Sequence, residues 1–198
     1  MVFNFFGSDL EVKSLDLIVL LQFQLNQRDG KTDLQLNSLR FFRERSSLKE
    51  YRERNSVERI PTFPNRAKID MESISTLESR IIEYSQGKRV NLAHISQKLN
   101  LLKINELFQT DFSRKVIKYL LKNVKYGETV SYSDIGKSIG SRAYQAIGTV
   151  LKGNPLPLII PCHRVIRKDG TIGGFMGKTQ KTDGWEINLK RKFLKLET

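Results

Sequence analysis

The chain of 198 residues holds one cysteine, Cys162, and two histidines, His94 and His163. A single cysteine closes no internal disulfide, and one cysteine with two histidines far apart supplies too few ligands for a tetrahedral zinc. Neither a disulfide framework nor a metal is expected. No stretch reaches the roughly eighteen apolar residues that cross a bilayer. The longest candidate is broken by Asp16 and Gln22, so no membrane partner is expected. No basic leader with an apolar stretch and a small-residue cleavage site opens the chain, and with the lone thiol this points to a cytoplasmic, reducing location. Acidic residues are scarce in one half only. Residues 113–198 carry 17 Lys and Arg against 6 acids, a net of +11, whereas residues 1–112 carry 17 against 15, a net of +2. So uneven a positive field is the footprint of a nucleic-acid partner, although charge alone also suits a merely soluble basic surface.

What is present reads as two regions, and 39% hydrophobic residues suffice for a core. Strands are expected at 2–6, 15–25 and 34–42, with a hairpin turn at Arg28-Asp29-Gly30-Lys31. Residues 43–68, crowded with charge and carrying Pro61 and Pro64, read as a loop or short helix. Ile74, Leu77, Ile81 and Ile82 fall at helical spacing over 71–84, and Gly87 is placed to stop that helix. A small sheet with one covering helix is expected, then a packed link over 88–111, in which His94 is an ordinary surface or packing residue.

In the second region, 112–124 reads as a helix with Val116, Ile117, Leu120 and Leu121 inward and Lys115, Lys118 and Lys122 outward. Ser131 can cap a helix ending near Gly140, with Asp134 completing a capping box. Ser141 can cap another over 142–152. Two short helices about a glycine-containing turn read as a helix-turn-helix. On the second helix Ala143, Ile147, Val150 and Leu151 are expected inside, and Tyr144, Gln145, Gly148, Thr149 and Lys152 outside. That small, uncharged outer face suits a narrow groove.

The chemistry concentrates at Leu158-Ile159-Ile160-Pro161-Cys162-His163-Arg164-Val165-Ile166. A free thiol, with a pKa of about 8.5, is mostly protonated at neutral pH, and a neighbouring imidazole or cation lowers that value. His163 can reach Cys162 only if the chain turns, because adjacent side chains on extended backbone diverge. Pro161 favours such a turn. A lone cysteine is otherwise more often a small packing residue.

Residues 153–166, Gly153-Asn154-Pro155-Leu156-Pro157-Leu158-Ile159-Ile160-Pro161-Cys162-His163-Arg164-Val165-Ile166, resemble the active-site signature of the O6-alkylguanine-DNA alkyltransferases. The order of elements over 112–197 is similar to that family's; before residue 112 the similarity is only architectural. The resemblance implies an α+β chain. An N-terminal domain (1–105), a small antiparallel sheet with helices of RNase H-like form, precedes a mostly helical winged helix-turn-helix domain (106–198). It implies irreversible transfer of an alkyl group from O6 of a flipped guanine in double-stranded DNA to Cys162, by a monomer with no cofactor. Cys162 matches the alkyl acceptor, made anionic by His163, which takes its proton through a water. Glu197 matches the residue orienting that histidine, Arg164 a buttress of the motif, and Asn154 the hinge tying the reading helix to the Cys162 loop.

For DNA the resemblance implies Tyr132, Arg142, Gln145, Ala146, Gly148, Thr149, Lys152 and Arg164; for the base pocket it implies Tyr132, Leu151, Val165, Gly173, Gly174, Phe175 and Met176. The chain departs from the family in having Phe175 and Met176 where Tyr and Ser are usual, and Gln145 where an intercalating arginine is usual. Arg142 lies almost a helical turn from that place, and weaker or slower flipping is expected. The loop over 178–186 is longer than usual, with Trp185 expected to anchor the last helix. Two rivals remain: a lesion sensor that binds without reacting, and a helix-turn-helix regulator with an incidental thiol.

Overall fold

The computed structural model describes residues 5–28, 31–59, 71–179 and 184–198. The chain forms two compact units, Met1–Lys88 with His94–Lys103, and Arg89–Ala93 with Ile104–Thr198. It is a mixed α/β protein: a small antiparallel sheet followed by a mostly helical remainder.

In the first unit β1 (Phe5–Val12), β2 (Leu17–Arg28) and β3 (Lys31–Phe42) pair antiparallel, and β4 (Glu58–Arg59) adds two residues parallel to β1. Leu17, Ile18, Val19, Leu20, Leu21 and Phe23 of the central strand are all buried, which is why this segment reads as a continuous apolar run and not as an alternation. Ile18 and Leu20 pack with Leu48 of α1 (Arg45–Asn55), and with Phe42 and Tyr51. Asp9 faces the same helix and pairs with Arg52 at 2.5 Å, while the guanidinium also donates to the carbonyls of Gly7 and Val57. Its neighbour Ser8 points the opposite way and bonds Glu78 of α2 (Met71–Ser85).

The sheet therefore carries a helix on each face. This corrects the expectation of a single covering helix, because the charged stretch 43–68 hides one apolar anchor, Leu48, in an otherwise polar α1. Ile74, Leu77 and Ile81 are buried as their spacing requires, and Gly87, at φ 81°, ends the segment after α2. His94 is exposed. Residues 2–4, the Asp29-Gly30 corner and 60–68 lie outside the described residues.

Leading into the second unit are α3 (Leu92–Lys98) and α4 (Ile104–Leu107). Thr110 caps α5 (Asp111–Asn123) by accepting from the Ser113 N–H at 3.1 Å. Val116, Ile117 and Leu120 are buried there, whereas Lys115, Lys118 and Lys122 are exposed. β5 (Val130–Ser131) runs parallel to β6 (Val165–Ile166) and delivers α6 (Tyr132–Ser138), whose N-terminus carries the expected capping box between Ser131 and Asp134.

After α6 comes α7 (Tyr144–Lys152), two residues later than the capping pattern suggested. The Ser141 hydroxyl does accept from the Ala143 N–H, at 3.1 Å, but inside the connecting turn. Arg142 therefore precedes the helix and Ala143 is exposed, not inward. The reason lies in how closely the turn folds back on α6. Ser141 N–H donates to the Gly136 carbonyl at 2.8 Å, and a Cβ on Gly136 would stand 2.5 Å from the Ser141 oxygen and 2.7 Å from the Tyr144 ring. α8 (Trp185–Leu196) closes the unit by burying Ile187, Leu189, Lys190 and Phe193.

Gly136→Ala is expected to cost about 1–3 kcal/mol in denaturant titrations, since backbone has to yield to the added methyl. Gly148→Ala, whose Cβ meets nothing nearer than 3.8 Å, is expected to be neutral or stabilising.

Candidate active site around Cys162

The apolar run before Cys162 is buried on all sides. Leu156, Leu158, Ile159 and Ile160 are each at most 4% exposed, and the chain folds back on itself, the Ile160 N–H donating to the Leu156 carbonyl at 2.9 Å. Leu158 sits at φ 79°, a conformation a branched side chain adopts only under constraint. Pro161 then opens a single 3₁₀ turn, Cys162–Arg164, closed by Arg164 N–H on the Pro161 carbonyl at 3.1 Å. That is the turn the Cys-His sequence needed.

Asn154, two residues past α7, holds the sulfur. Its Nδ2 donates to Cys162 Sγ at 3.1 Å and to the Ile160 carbonyl at 3.2 Å, while its Oδ1 accepts from Leu156 N–H at 3.0 Å. One amide thus ties the end of α7, the apolar turn and the nucleophile together.

His163 is fully buried, and its Nε2 lies 3.0 Å from Glu197 Oε1. The Glu197 carboxylate also receives both forks of Arg164, Nε to Oε2 and Nη2 to Oε1, each at 2.8 Å, and the Gly127 N–H at 3.2 Å. Gly127 has φ 80°, and a Cβ there would lie 2.9 Å from the Glu197 carbonyl, so only glycine fits. Tyr126 OH donates to the Leu196 carbonyl at 2.8 Å. Arg164, expected among the DNA-facing residues, is corrected by this geometry: it is buried, and Nη1 is spent on the Val124 carbonyl at 3.1 Å.

Burial pushes the Cys162 thiol up, against the Asn154 hydrogen bond and the charge of Lys190. Burial likewise holds His163 below its usual value, against the pull of Glu197. Both shifts favour the neutral forms, because desolvation outweighs the neighbours that favour charge.

Sequence reasoning missed Lys190. It is 0% exposed, and Nζ donates to the carbonyls of Val165 at 2.5 Å, Ile172 at 2.6 Å and Gly174 at 3.0 Å. Burial pushes its pKa down to about 8. The signal was its phase: Ile187, Lys190 and Phe193 share the buried side of α8.

A cavity of about 200 Å³ opens over the sulfur, lined by Tyr132, Leu151, Cys162, Gly174, Phe175 and Met176. Gly148 and Lys152 of α7 also line it, as does Gly177 of the loop over 173–177 that the resemblance implies for the pocket; Lys178 and Thr179 line it without having been indicated by the sequence. Val165 and Gly173 were expected in the lining and are not there: Val165 is wholly buried, and Gly173 backs Tyr132, a Cβ on it meeting the phenol oxygen at 3.7 Å. Phe175 and Lys178 exchange backbone hydrogen bonds of 3.0 and 2.9 Å around Met176 at φ 49° and Gly177 at φ 81°, a tight I′-type turn. Beneath it Phe193 meets Phe175 edge-on at 6.3 Å and His163 at 5.4 Å. Arg142, Gln145, Ala146, Thr149 and Lys152 are exposed, and Trp185, half-buried, begins α8.

Two outcomes follow from this geometry. Glu197→Ala is expected to cost about 3–5 kcal/mol in chemical unfolding, by leaving Arg164 buried without its counter-charge. Alkylation of Cys162 by iodoacetamide is expected to be slow at neutral pH and to climb without a plateau until well above about pH 8; a plateau below that would mean a resting thiolate.

Residues 111–198 match the family model described as the DNA-binding domain of 6-O-methylguanine DNA methyltransferase. The mouse methylated-DNA–protein-cysteine methyltransferase is 47% identical over 81 residues, 40% of this chain and 38% of the mouse protein, so the match spans about two fifths of that relative's length. The protein of the same name from Metallosphaera sedula is 36% identical over 129 residues, covering 65% of this chain and 70% of that relative. Among solved structures, Mycobacterium tuberculosis OGT in complex with DNA superposes with a TM-score of 0.58 at 27% identity, covering 98% of this chain and 92% of that one. The 36% identity over 70% of the Metallosphaera relative, in a chain whose Cys162 opens on a pocket and is followed in sequence by a histidine paired with Glu197, places it in the methylated-DNA–protein-cysteine methyltransferase family.

Proposed function

We propose that this chain repairs DNA by moving an alkyl group from O6 of guanine to Cys162, irreversibly and once per molecule. The observation that carries the proposal is the Cys162 sulfur, fixed by Asn154 at the cavity, with the buried His163–Glu197 pair next to it in sequence. The sulfur attacks the alkyl carbon, an S–C bond forms and the C–O6 bond breaks. The thiol proton passes through a water to His163, whose Nε2 faces Glu197. The departing guanine takes a proton from Tyr132 OH, and the tyrosine is restored by the proton that His163 took from the thiol, so thiol and alkylguanine become thioether and guanine. A thioether has no easy leaving path, hence the single turnover.

A base inside the stack cannot reach a buried sulfur, so the guanine is extruded into the cavity. DNA as partner is supported by the DNA-binding family model, by the DNA in the M. tuberculosis complex and by the exposed cations Arg142, Lys152, Lys178 and Lys137 around the α6–α7 face. We infer further that α6 and α7 act as a helix-turn-helix of the winged type with α7 reading the minor groove, that the first unit is RNase H-like, and that the protein works as a cytoplasmic monomer.

Incubation with a duplex containing O6-methylguanine is expected to add one methyl to Cys162 in intact-mass measurement. Cys162→Ser is expected to abolish that gain while DNA affinity is kept, since affinity rests on phosphate contacts. Binding with no mass gain would instead establish a lesion sensor or a regulator.

A further inference from the structure

Tyr144 is the one large hydrophobic side chain exposed among the described residues, at 41%. It stands on the first turn of α7, two residues after the exposed Arg142 and packed on the residue before the exposed Lys137, with the small or uncharged sequence neighbours Ala143, Gln145 and Ala146. Its ring lies against Gly136 of α6, where an added Cβ would come 2.7 Å from Cε1 and 3.1 Å from Cδ1. The contact is one half of a reciprocal pair. Tyr132 of α6 lies over Gly148 of α7, with 3.8 Å between the position of a Cβ there and its Cε1. Each helix therefore offers one tyrosine to the other's glycine, and in each the two residues are four apart, on one face. Tyr132 turns into the cavity, whose wall includes Gly148. Tyr144 stands about one turn before Gly148, at the start of α7, about 6 Å away by the helical rise, outside the cavity and facing solvent.

We propose that Tyr144 is a DNA-stacking residue that occupies the gap, or the adjacent base step, left when the alkylated guanine enters the cavity. The proposal rests on the alkyl-transfer function set out above. An extruded base leaves an unstacked neighbour, and an aromatic plane recovers stacking regardless of sequence. A ring already seated on Gly136 loses little rotational freedom on binding, and the surrounding cations match the phosphates on either side. Gln145, next in sequence, has neither ring nor charge.

The test uses the full chain and a duplex carrying O6-methylguanine beside 2-aminopurine. Tyr144→Ala and Tyr144→Leu, the second keeping an apolar contact on Gly136, are expected to slow methyl transfer from the duplex by about tenfold or more and to abolish the fluorescence change of 2-aminopurine on binding. Tyr144→Phe is expected to stay within about twofold of the parent. Transfer from free O6-benzylguanine, which has no neighbouring base to stack, is expected to persist in all three and reports an intact pocket. Duplex transfer and fluorescence unchanged in Tyr144→Leu would overturn the proposal, as would a larger loss in Gln145→Ala than in Tyr144→Leu. If the parent protein transfers from neither substrate, the alkyl-transfer function fails, and the fluorescence arm alone decides whether Tyr144 stacks.

Discussion

One carboxylate organises the second unit. Glu197 is 6% exposed and receives a histidine, both forks of an arginine and a backbone N–H. Removing a carboxylate from water costs several kcal/mol unless its oxygens are satisfied, and here four donors satisfy them. Those donors come from two places, the turn after α5 and the Cys162–Arg164 turn, and the carboxylate itself from the end of α8. The need to neutralise a single buried charge therefore holds three segments in register, and the register sets the direction of the His163 ring.

From that ring the constraint spreads through packing. Phe193 touches both His163 and Phe175, so the pocket turn and the His163 imidazole rest on the same buried ring. Lys190, one helical turn earlier, gathers the carbonyls of Val165, Ile172 and Gly174. An ammonium on three carbonyls in a dry interior is a rigid clasp, since its donors have no water to exchange with. α8 thus shapes the cavity without lining it, and Asn154 performs the matching task from α7.

Much of this was legible in the sequence, for reasons that differ by residue. The Ser131–Asp134 capping box, the apolar stripe of α5 and the burial of the run before Cys162 depend on local chemistry and on periodicities that sequence displays directly. The start of α7 was misjudged because Ser141 looks like a cap, whereas the close approach of Tyr144 to Gly136 decides where that helix begins. α1 was uncertain because one buried leucine among charges gives almost no periodic signal. Arg164 read both as a buttress of the motif, which it is, and as a cation for DNA, which its burial rules out, and Lys190 went unnoticed, because whether a long basic side chain meets solvent or a buried acceptor depends on residues distant in sequence. Val165 and Gly173 failed as lining residues in the same way: the resemblance supplies position, and only packing decides which atoms face a cavity.

On the proposed alkyl transfer, groups that burial biases toward their neutral forms suit a reagent used once. A preformed thiolate would react with any electrophile that diffused past, and each such event would consume the molecule. Desolvation instead disfavours charge on both sulfur and imidazole, so in the proposed reaction the two charges would arise together, once a base filled the cavity and the sulfur met an alkyl carbon. At that moment the groups already in place act on charge that did not exist before. Glu197 faces the nascent imidazolium, and Asn154 Nδ2 faces the nascent thiolate, with Lys190 adding its positive field. Stabilisation that appears only as charge develops lowers the barrier without raising the ground-state reactivity, which is how a buried cysteine can be both inert at rest and competent when a base arrives.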